Sequence, residues 1–422
     1  IEILNGYRKE KADIGADCVV VGNAISRGNP ELEEVLNRKL LYRSQAEVVQ
    51  EEFIRGRRSL VVAGTHGKTT TTSIASWVAE VGGLNPSFLV GGIVQNFGSS
   101  FRVTDSDCFV IEGDEYDTAY FDKKPKFMHY LPEIAIVNNI EFDHADIYRD
   151  LQEIKFQFSR LMNLVPGNGV LVAGVDSPVV REVLQEMHGR LHTRIETFGT
   201  SPDAKWQARY IDFSGETTRF TVFMEGHKWG EFETHLIGEF NVKNCLAVII
   251  AADAWGISKD KIHEALKGFK SVKRRMEVRG TENGITVIDD FAHHPTAVEE
   301  TLRALRMKYT GRRLVAVFEP RSWSSRLAVF QEHYSKAFSY ADYVIISGVY
   351  NTAKASELGK VLDVSELVER IALQGKPSYS FPDADSIVTH LVPELREGDV
   401  VAIMSNGGFG GIHSKILDRI KK

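Results

Sequence analysis

The chain has 422 residues, of which 43% are hydrophobic and 26% charged, with a formal charge of −6 at pH 7. This is the balance of a globular protein of two or three domains, and the negative charge argues against non-specific nucleic-acid binding. No apolar run approaches the ~18 residues needed to span a membrane. Cys18, Cys108 and Cys245 lie in apolar runs without metal-ligand spacing; they read as reduced core residues of a cytoplasmic protein.

The chain opens on Ile1, without a preceding strand–glycine–helix unit. That predicts missing residues at the N-terminus, so the lack of a targeting signal carries no weight. Residues 1–58 offer one clear strand, Cys18 to Val21, then the loop GNAISRGNPE and a helix from Glu31. They are too few for a full nucleotide-binding half.

The stretch SLVVAGTHGKTTTT, Ser59 to Thr72, organises the rest of the chain. Leu60 to Ala63 predict a buried parallel strand, and Thr69 onward a helix ending near Val81 at Gly82 and Gly83. Between them, Gly64, Thr65, His66, Gly67, Lys68 and Thr69 form GTHGKT. Glycines let backbone N–H groups close around phosphate oxygens, the lysine reaches the β/γ-phosphates, and the threonine hydroxyl takes a place on Mg²⁺. The general P-loop pattern wants another glycine where Val62 stands. Lys68 is expected as a solvent-facing loop cation with no core role, so its removal should spare the fold.

Further short apolar strands are expected at 88–91, 108–111, 134–137 and 170–174. Residues 207–237 alternate apolar and polar around Glu225-Gly226 and predict an antiparallel hairpin patch. A helix is expected next, from near Asn241 to Ala254, stopped by Gly256. From about residue 271 a second α/β unit with a parallel sheet is expected, with strands at 285–290, 313–318, 343–347 and 399–405 and a helix from Pro295.

Several strand ends carry chemistry. EGDEYD, Glu112 to Asp117, crowds four carboxylates and is expected to lack a compensating cation. That favours a Mg²⁺ site with Glu115 as ligand and Asp114 and Glu112 behind it, over a solvated acidic loop. NNIEFDHAD, Asn138 to Asp146, places His144 beside two aspartates, for a second cation or a phosphate, unless it is an ordinary turn. In GEFNVKN, Asn241 and Asn244 share a helix face and can read an adenine edge; helix capping by Asn241 is the alternative. Arg274 and Arg275 stand at the domain junction, suited to phosphate or carboxylate, or else form surface ion pairs. Asp290 and His293 follow a strand in DDFAHHPTA. FEPRSWSSR (318–326) and MSNGGFGGIH (404–413), with four glycines in ten residues, follow strands at the expected ligand edge.

Together GTHGKTTTT, EGDEYD, NNIEFDHAD, GEFNVKN, RRMEVRG and DDFAHHPTA resemble, in this order, the Mur ligases, the ATP-dependent amide-bond ligases of peptidoglycan synthesis. The resemblance implies an α/β fold in three domains: a truncated nucleotide-sugar domain (1–58), a central P-loop ATPase domain (59–270) and a C-terminal Rossmann-like domain for the amine (271–422). It implies ATP at Gly64 to Thr70, Asn241, Asn244, Arg275 and Asp290, Mg²⁺ at Thr69 and Glu115, and a second Mg²⁺ at His144. Lys68, His144 and His293 stand at the reacting groups. DDFAHHP implies UDP-N-acetylmuramate as one substrate. FEPRS, VKRRMEVRG, GNAISRGNPE and MSNGGFGGIH are more similar to the recycling branch, which joins it to L-Ala-γ-D-Glu-meso-diaminopimelate, than to the branch that adds L-alanine. Phe240 departs from the histidine of that second branch. Arg321, Ser405, Asn406 and Gly407 are then expected to hold peptide carboxylates. A nucleotide-gated binding protein would need neither the carboxylate loop nor two further domains. Folylpolyglutamate synthetase matches DDFAHHP less well.

Overall fold

The computed structural model describes residues 2–12, 15–356 and 359–421; residues 1, 13, 14, 357, 358 and 422 of the expected domains lie outside them. The first residues form a small parallel sheet, β1 (Val19–Val21) against β2 (Tyr42–Ser44). The helix Pro30–Asn37 between them starts where expected, with the Asn29 side chain accepting from Glu31 and Leu32 N–H.

Ten strands make the central sheet: β3 (Arg58–Ala63), β4 (Ser87–Val94), β5 (Ser99–Arg102), β6 (Cys108–Glu112), β9 (Ile134–Val137), β10 (Val170–Gly174), β11 (Arg194–Gly199), β12 (Trp206–Asp212), β13 (Thr218–Met224) and β14 (His227–Thr234). Two short strands, β7 (Asp117–Ala119) and β8 (Asp122–Pro125), pair separately in the loop after β6. The sheet order is 14-13-12-11-10-9-3-6-4-5. Its middle, from β12 to β4, is parallel, and β13, β14 and β5 add antiparallel edges. The expected hairpin is therefore a continuation of the main sheet, turning at Glu225 and Gly226 with positive φ at both. Separate apolar cores cover the two faces, one around Leu60, Val62 and Ile136, the other around Val61, Ala63 and Val137. This is why the middle strands carry no polar alternation. The helix Glu239–Ala254 lies in the first core with eleven buried residues, and starts two residues before Asn241.

The C-terminal sheet has six strands: β15 (Glu277–Glu282), β16 (Ile285–Asp290), β17 (Leu314–Phe318), β18 (Tyr343–Ser347), β19 (Ser378–Phe381) and β20 (Val400–Met404), in the order 15-16-20-17-18-19. All pairs are parallel except β15 with β16. Strand β20 sits between β16 and β17, so the loops leaving all three open on one crevice.

The linker between the sheets is stitched to both. Lys273 N–H donates to Ile93 O and Gln95 N–H to Ser271 O on the central side, while Phe291 N–H donates to Arg274 O and Met276 N–H to Asp290 Oδ2 on the other. Phe142 and Ile237 from the central unit pack against the C-terminal core. No helix among the described residues is long and apolar enough to cross a membrane.

Candidate active site

The nucleotide loop leaves the end of β3. Gly64 has φ of 130°, and a Cβ there would lie 3.0 Å from Asn139 O. Gly67 has φ of 82° and caps the helix Lys68–Val81; a Cβ there would come within 2.7 Å of Asn244 Oδ1. Neither position admits a side chain. The loop is fastened to the residues after β9: Thr65 N–H donates to Asn139 O (3.1 Å), Glu141 N–H to Thr65 Oγ1 (2.8 Å) and His66 N–H to Asn139 Oδ1 (2.8 Å). The amino end of the helix therefore faces the cavity, an anion-binding arrangement.

Lys68 differs from expectation. It is the first helical residue, and its side chain is 12% exposed. Nζ donates to both oxygens of Glu115 (2.9 and 2.7 Å) and to Gly64 O (2.9 Å). Burial would lower the ammonium pKa, but the charges of Glu115 and Asp114 outweigh it and raise it. The carboxylates of EGDEYD also have compensating cations, contrary to expectation: Lys68 on Glu115 and, at 2.8 Å, Lys126 on Asp114. Burial would lift Asp114, yet Lys126 and Lys68 hold it below its ordinary value. Burial pushes Glu112 up; this carboxylate accepts from Thr69 Oγ1 (3.0 Å) and Gly91 N–H (2.8 Å).

His144 closes the set with Nε2 3.1 Å from Glu115 Oε1. Burial would lower it, but the Glu115 hydrogen bond and the Asp143 charge raise it to about 9. Its backbone takes φ of 54°, held by hydrogen bonds from its N–H to Asp143 Oδ1 (2.7 Å) and Ser324 Oγ (3.0 Å) of the C-terminal unit. Asp114, Glu115 and His144 offer three ligand atoms within 4.8 Å of one another. The oxygens fit a hard divalent cation; His144 can join only after losing its proton.

A cavity of about 520 Å³ is lined by Thr65 to Thr70, Asn241, Asn244, Arg275, Asp290, His144 and His293. Asn241 is not the helix cap, which is Gly238; its Nδ2 donates to Ile237 O (2.8 Å) and its Oδ1 accepts from Asn244 (3.1 Å). Arg275 lies over the Phe291 ring at 5.1 Å. Asp290 is buried, which raises its pKa, and it accepts from Met276 and Ala292 N–H. Arg274 forms no surface pair: its Nη2 donates to Ser405 O (2.6 Å) and Gly407 O (2.7 Å), beside buried Asp289.

A second cleft of about 420 Å³ is lined by Tyr116, Arg321, Trp323, Arg326, Tyr350 and Asn406 among others, and shares Asp143, His144 and His293 with the first. Burial lowers the His293 pKa, leaving a neutral imidazole where the two cavities meet. Ser405 and Gly407 do not line it. Ser405 Oγ is buried and donates to Glu319, and its N–H donates to Asp290 O. Gly407 N–H donates to Ser405 Oγ (2.9 Å), and a Cβ on Gly407 would fall 2.1 Å from Arg321 Nε. These two residues shape the seat of Arg321 instead of offering donors. Asp143 and Arg326 are site residues that the sequence motifs do not single out; the second arginine of FEPRSWSSR is the available signal for Arg326, while Asp143 has only its place beside His144.

A glycine loop at a helix start, a carboxylate set at the neighbouring strand end and arginines of the facing C-terminal unit form a nucleotide-dependent ligase arrangement. The Mur ligase middle domain model matches residues 62–252, and the Mur ligase glutamate ligase domain model matches residues 274–407. The chain is 40% identical over 422 residues to the UDP-N-acetylmuramate–L-alanyl-γ-D-glutamyl-meso-2,6-diaminoheptandioate ligase of Haemophilus influenzae, covering all of this chain and 89% of that protein. It is 36% identical over 407 residues to the UDP-N-acetylmuramate–L-alanine ligase of Salinibacter ruber, covering 96% and 82%. Among solved structures, a murein peptide ligase from Psychrobacter arcticus superposes with a TM-score of 0.71 at 32% identity, covering 99% of this chain and 88% of that one. The chain belongs to the Mur ligase family.

Proposed function

We propose that this ligase joins the carboxylate of UDP-N-acetylmuramate to the amine of L-Ala-γ-D-Glu-meso-diaminopimelate in peptidoglycan recycling, in the cytoplasm, with ATP giving ADP and phosphate. The observation that carries it is the 40% identity, along the whole chain, to a relative whose name gives both substrates, against 36% to an L-alanine ligase. The carboxylate is a poor electrophile, so it first takes the γ-phosphoryl group as an acyl phosphate; the amine then attacks the acyl carbon and phosphate leaves. The loop from Gly64 to Thr70 cradles the phosphates and Lys68 offsets charge on the transferred group. Asn241 and Asn244 face the adenine, and Arg275 and Asp290 complete the nucleotide site. Thr69, Glu115 and His144 would hold Mg²⁺, which stabilises phosphoryl charge when bound. His293 and Asp143, common to both cavities, face the reacting centre. Arg321 and Asn406 hold the peptide. The domain division at residues 58/59 and 270/271 belongs to this proposal; separate cores and the linker support the second boundary, whereas Ala46 and Ile54 pack in the core of the central sheet.

The test is ADP release with UDP-N-acetylmuramate against tripeptide and free L-alanine. The tripeptide should show the higher kcat/KM; equal or better use of L-alanine would move the chain to the biosynthetic branch.

A further inference from the structure

Beside the nucleotide loop, and apart from the Glu115 set, three side chains from three segments converge. Glu141 Oε2 lies 3.4 Å from His66 Nε2 and 3.8 Å from His294 Nδ1, and all three ligand atoms fall within 4.8 Å of one another. The two imidazole rings are 4.7 Å apart and tilted by 43°. The groups are held from outside: Thr296 Oγ1 donates to Glu141 Oε2 (2.7 Å), and His66 N–H donates to Asn139 Oδ1 (2.8 Å).

The orientation of His294 decides the reading. Its Nε2 sits 3.2 Å from Phe142 O, a carbonyl that can only accept, so Nε2 carries the proton. The lone pair is then on Nδ1, which accepts from Thr296 N–H (3.4 Å) at the cap of the helix Pro295–Lys308 and lies 3.8 Å from Glu141 Oε2. Zinc at about 2.0–2.1 Å from tetrahedral ligands spaces those ligands roughly 3.4 Å apart, close to two of the separations here.

We propose that His66, Glu141 and His294 form a second metal site that takes a zinc-class divalent ion. Two imidazoles and one carboxylate select such ions over magnesium. The Phe142 carbonyl orients His294 as outer partners orient metal-bound histidines. His66 belongs to the nucleotide loop and His294 to the C-terminal unit, so the ion would tie one to the other.

Cobalt(II) is the probe, added to the full chain in excess Mg²⁺, with the visible d–d bands as readout. One cobalt per chain should give bands of a low-coordinate nitrogen–oxygen site. Glu141→Gln and His66→Asn should each weaken binding at least about tenfold, while Glu115→Gln should leave it unchanged. Zinc should compete the bands away and should raise the Tm of the parent but not of Glu141→Gln. Absence of bands at millimolar cobalt, unchanged binding in both variants, or loss of the bands in Glu115→Gln would each overturn the site.

Discussion

Lys68 has two tasks that a single substitution cannot separate. It faces the nucleotide cavity, and it neutralises Glu115, whose side chain is only 3% exposed. Removing one partner of a buried ion pair costs about 3–5 kcal/mol, so Lys68→Ala should lower the Tm as well as reduce turnover by roughly 10²- to 10³-fold. Adding Glu115→Gln should recover part of the Tm and none of the turnover. Calorimetry and ADP release on the same samples check both, and an unchanged Tm in the single variant would show that the pair contributes little. Arg321 offers a cleaner separation. It stacks over Tyr350 at 3.9 Å and pairs with Glu319 at 3.5 Å, away from the nucleotide cavity. Arg321→Ala should raise the KM for tripeptide and leave that for ATP nearly unchanged. Gly407→Ala should do the same more mildly, because the new methyl group displaces the arginine. Steady-state kinetics with each substrate varied reads the difference.

At the scale of elements, what the sequence disclosed and what it hid divide by burial. Strands β3, β9 and β10 are covered on both faces and read directly as apolar runs. Strand β8, DKKP, and strand β5, SSFR, have no apolar period; pairing partners make them strands. The site shows the same split. The glycine loop is legible because its chemistry is local. Lys68 and Glu115 meet across 47 residues, and His144 meets Ser324 across 180, which no local pattern encodes. Loop fastening after β10 is a further hidden feature. Asp176 accepts from Thr200 N–H (2.9 Å), Ser201 N–H (3.1 Å) and both hydroxyls. Burial would raise its pKa, but these hydrogen bonds and Lys243 depress it. A depressed carboxylate stabilises the fold above its unfolded pKa of ~3.9 and loses that contribution progressively as pH falls from there through its lower folded value. Asp176→Asn should therefore cost about 2–3 kcal/mol at pH 7, and the gap to the parent should close below about pH 4. Denaturant titrations at several pH values test this; a gap that does not narrow at all as pH falls below about 4 would contradict it.

Across the whole molecule, the two large sheets are joined by packing as well as by chain. The Phe142 ring lies 6.2 Å from that of Phe330, tilted by 33°, and its carbonyl meets His294. Phe142→Ala removes apolar contact from this junction and should split one calorimetric transition into two; a single transition in the variant would place the coupling elsewhere. The linker sets what movement is left. Backbone bonds tie Lys273 to the central sheet and Arg274 to the C-terminal one, so the joint owned by neither is the peptide between them. A swing about that point acts as a lever with its fulcrum at the nucleotide end. Any such swing must also break or remake the His144 N–H to Ser324 Oγ bond between the two units, so the phosphate end of the first cavity reports directly on how the C-terminal unit is set.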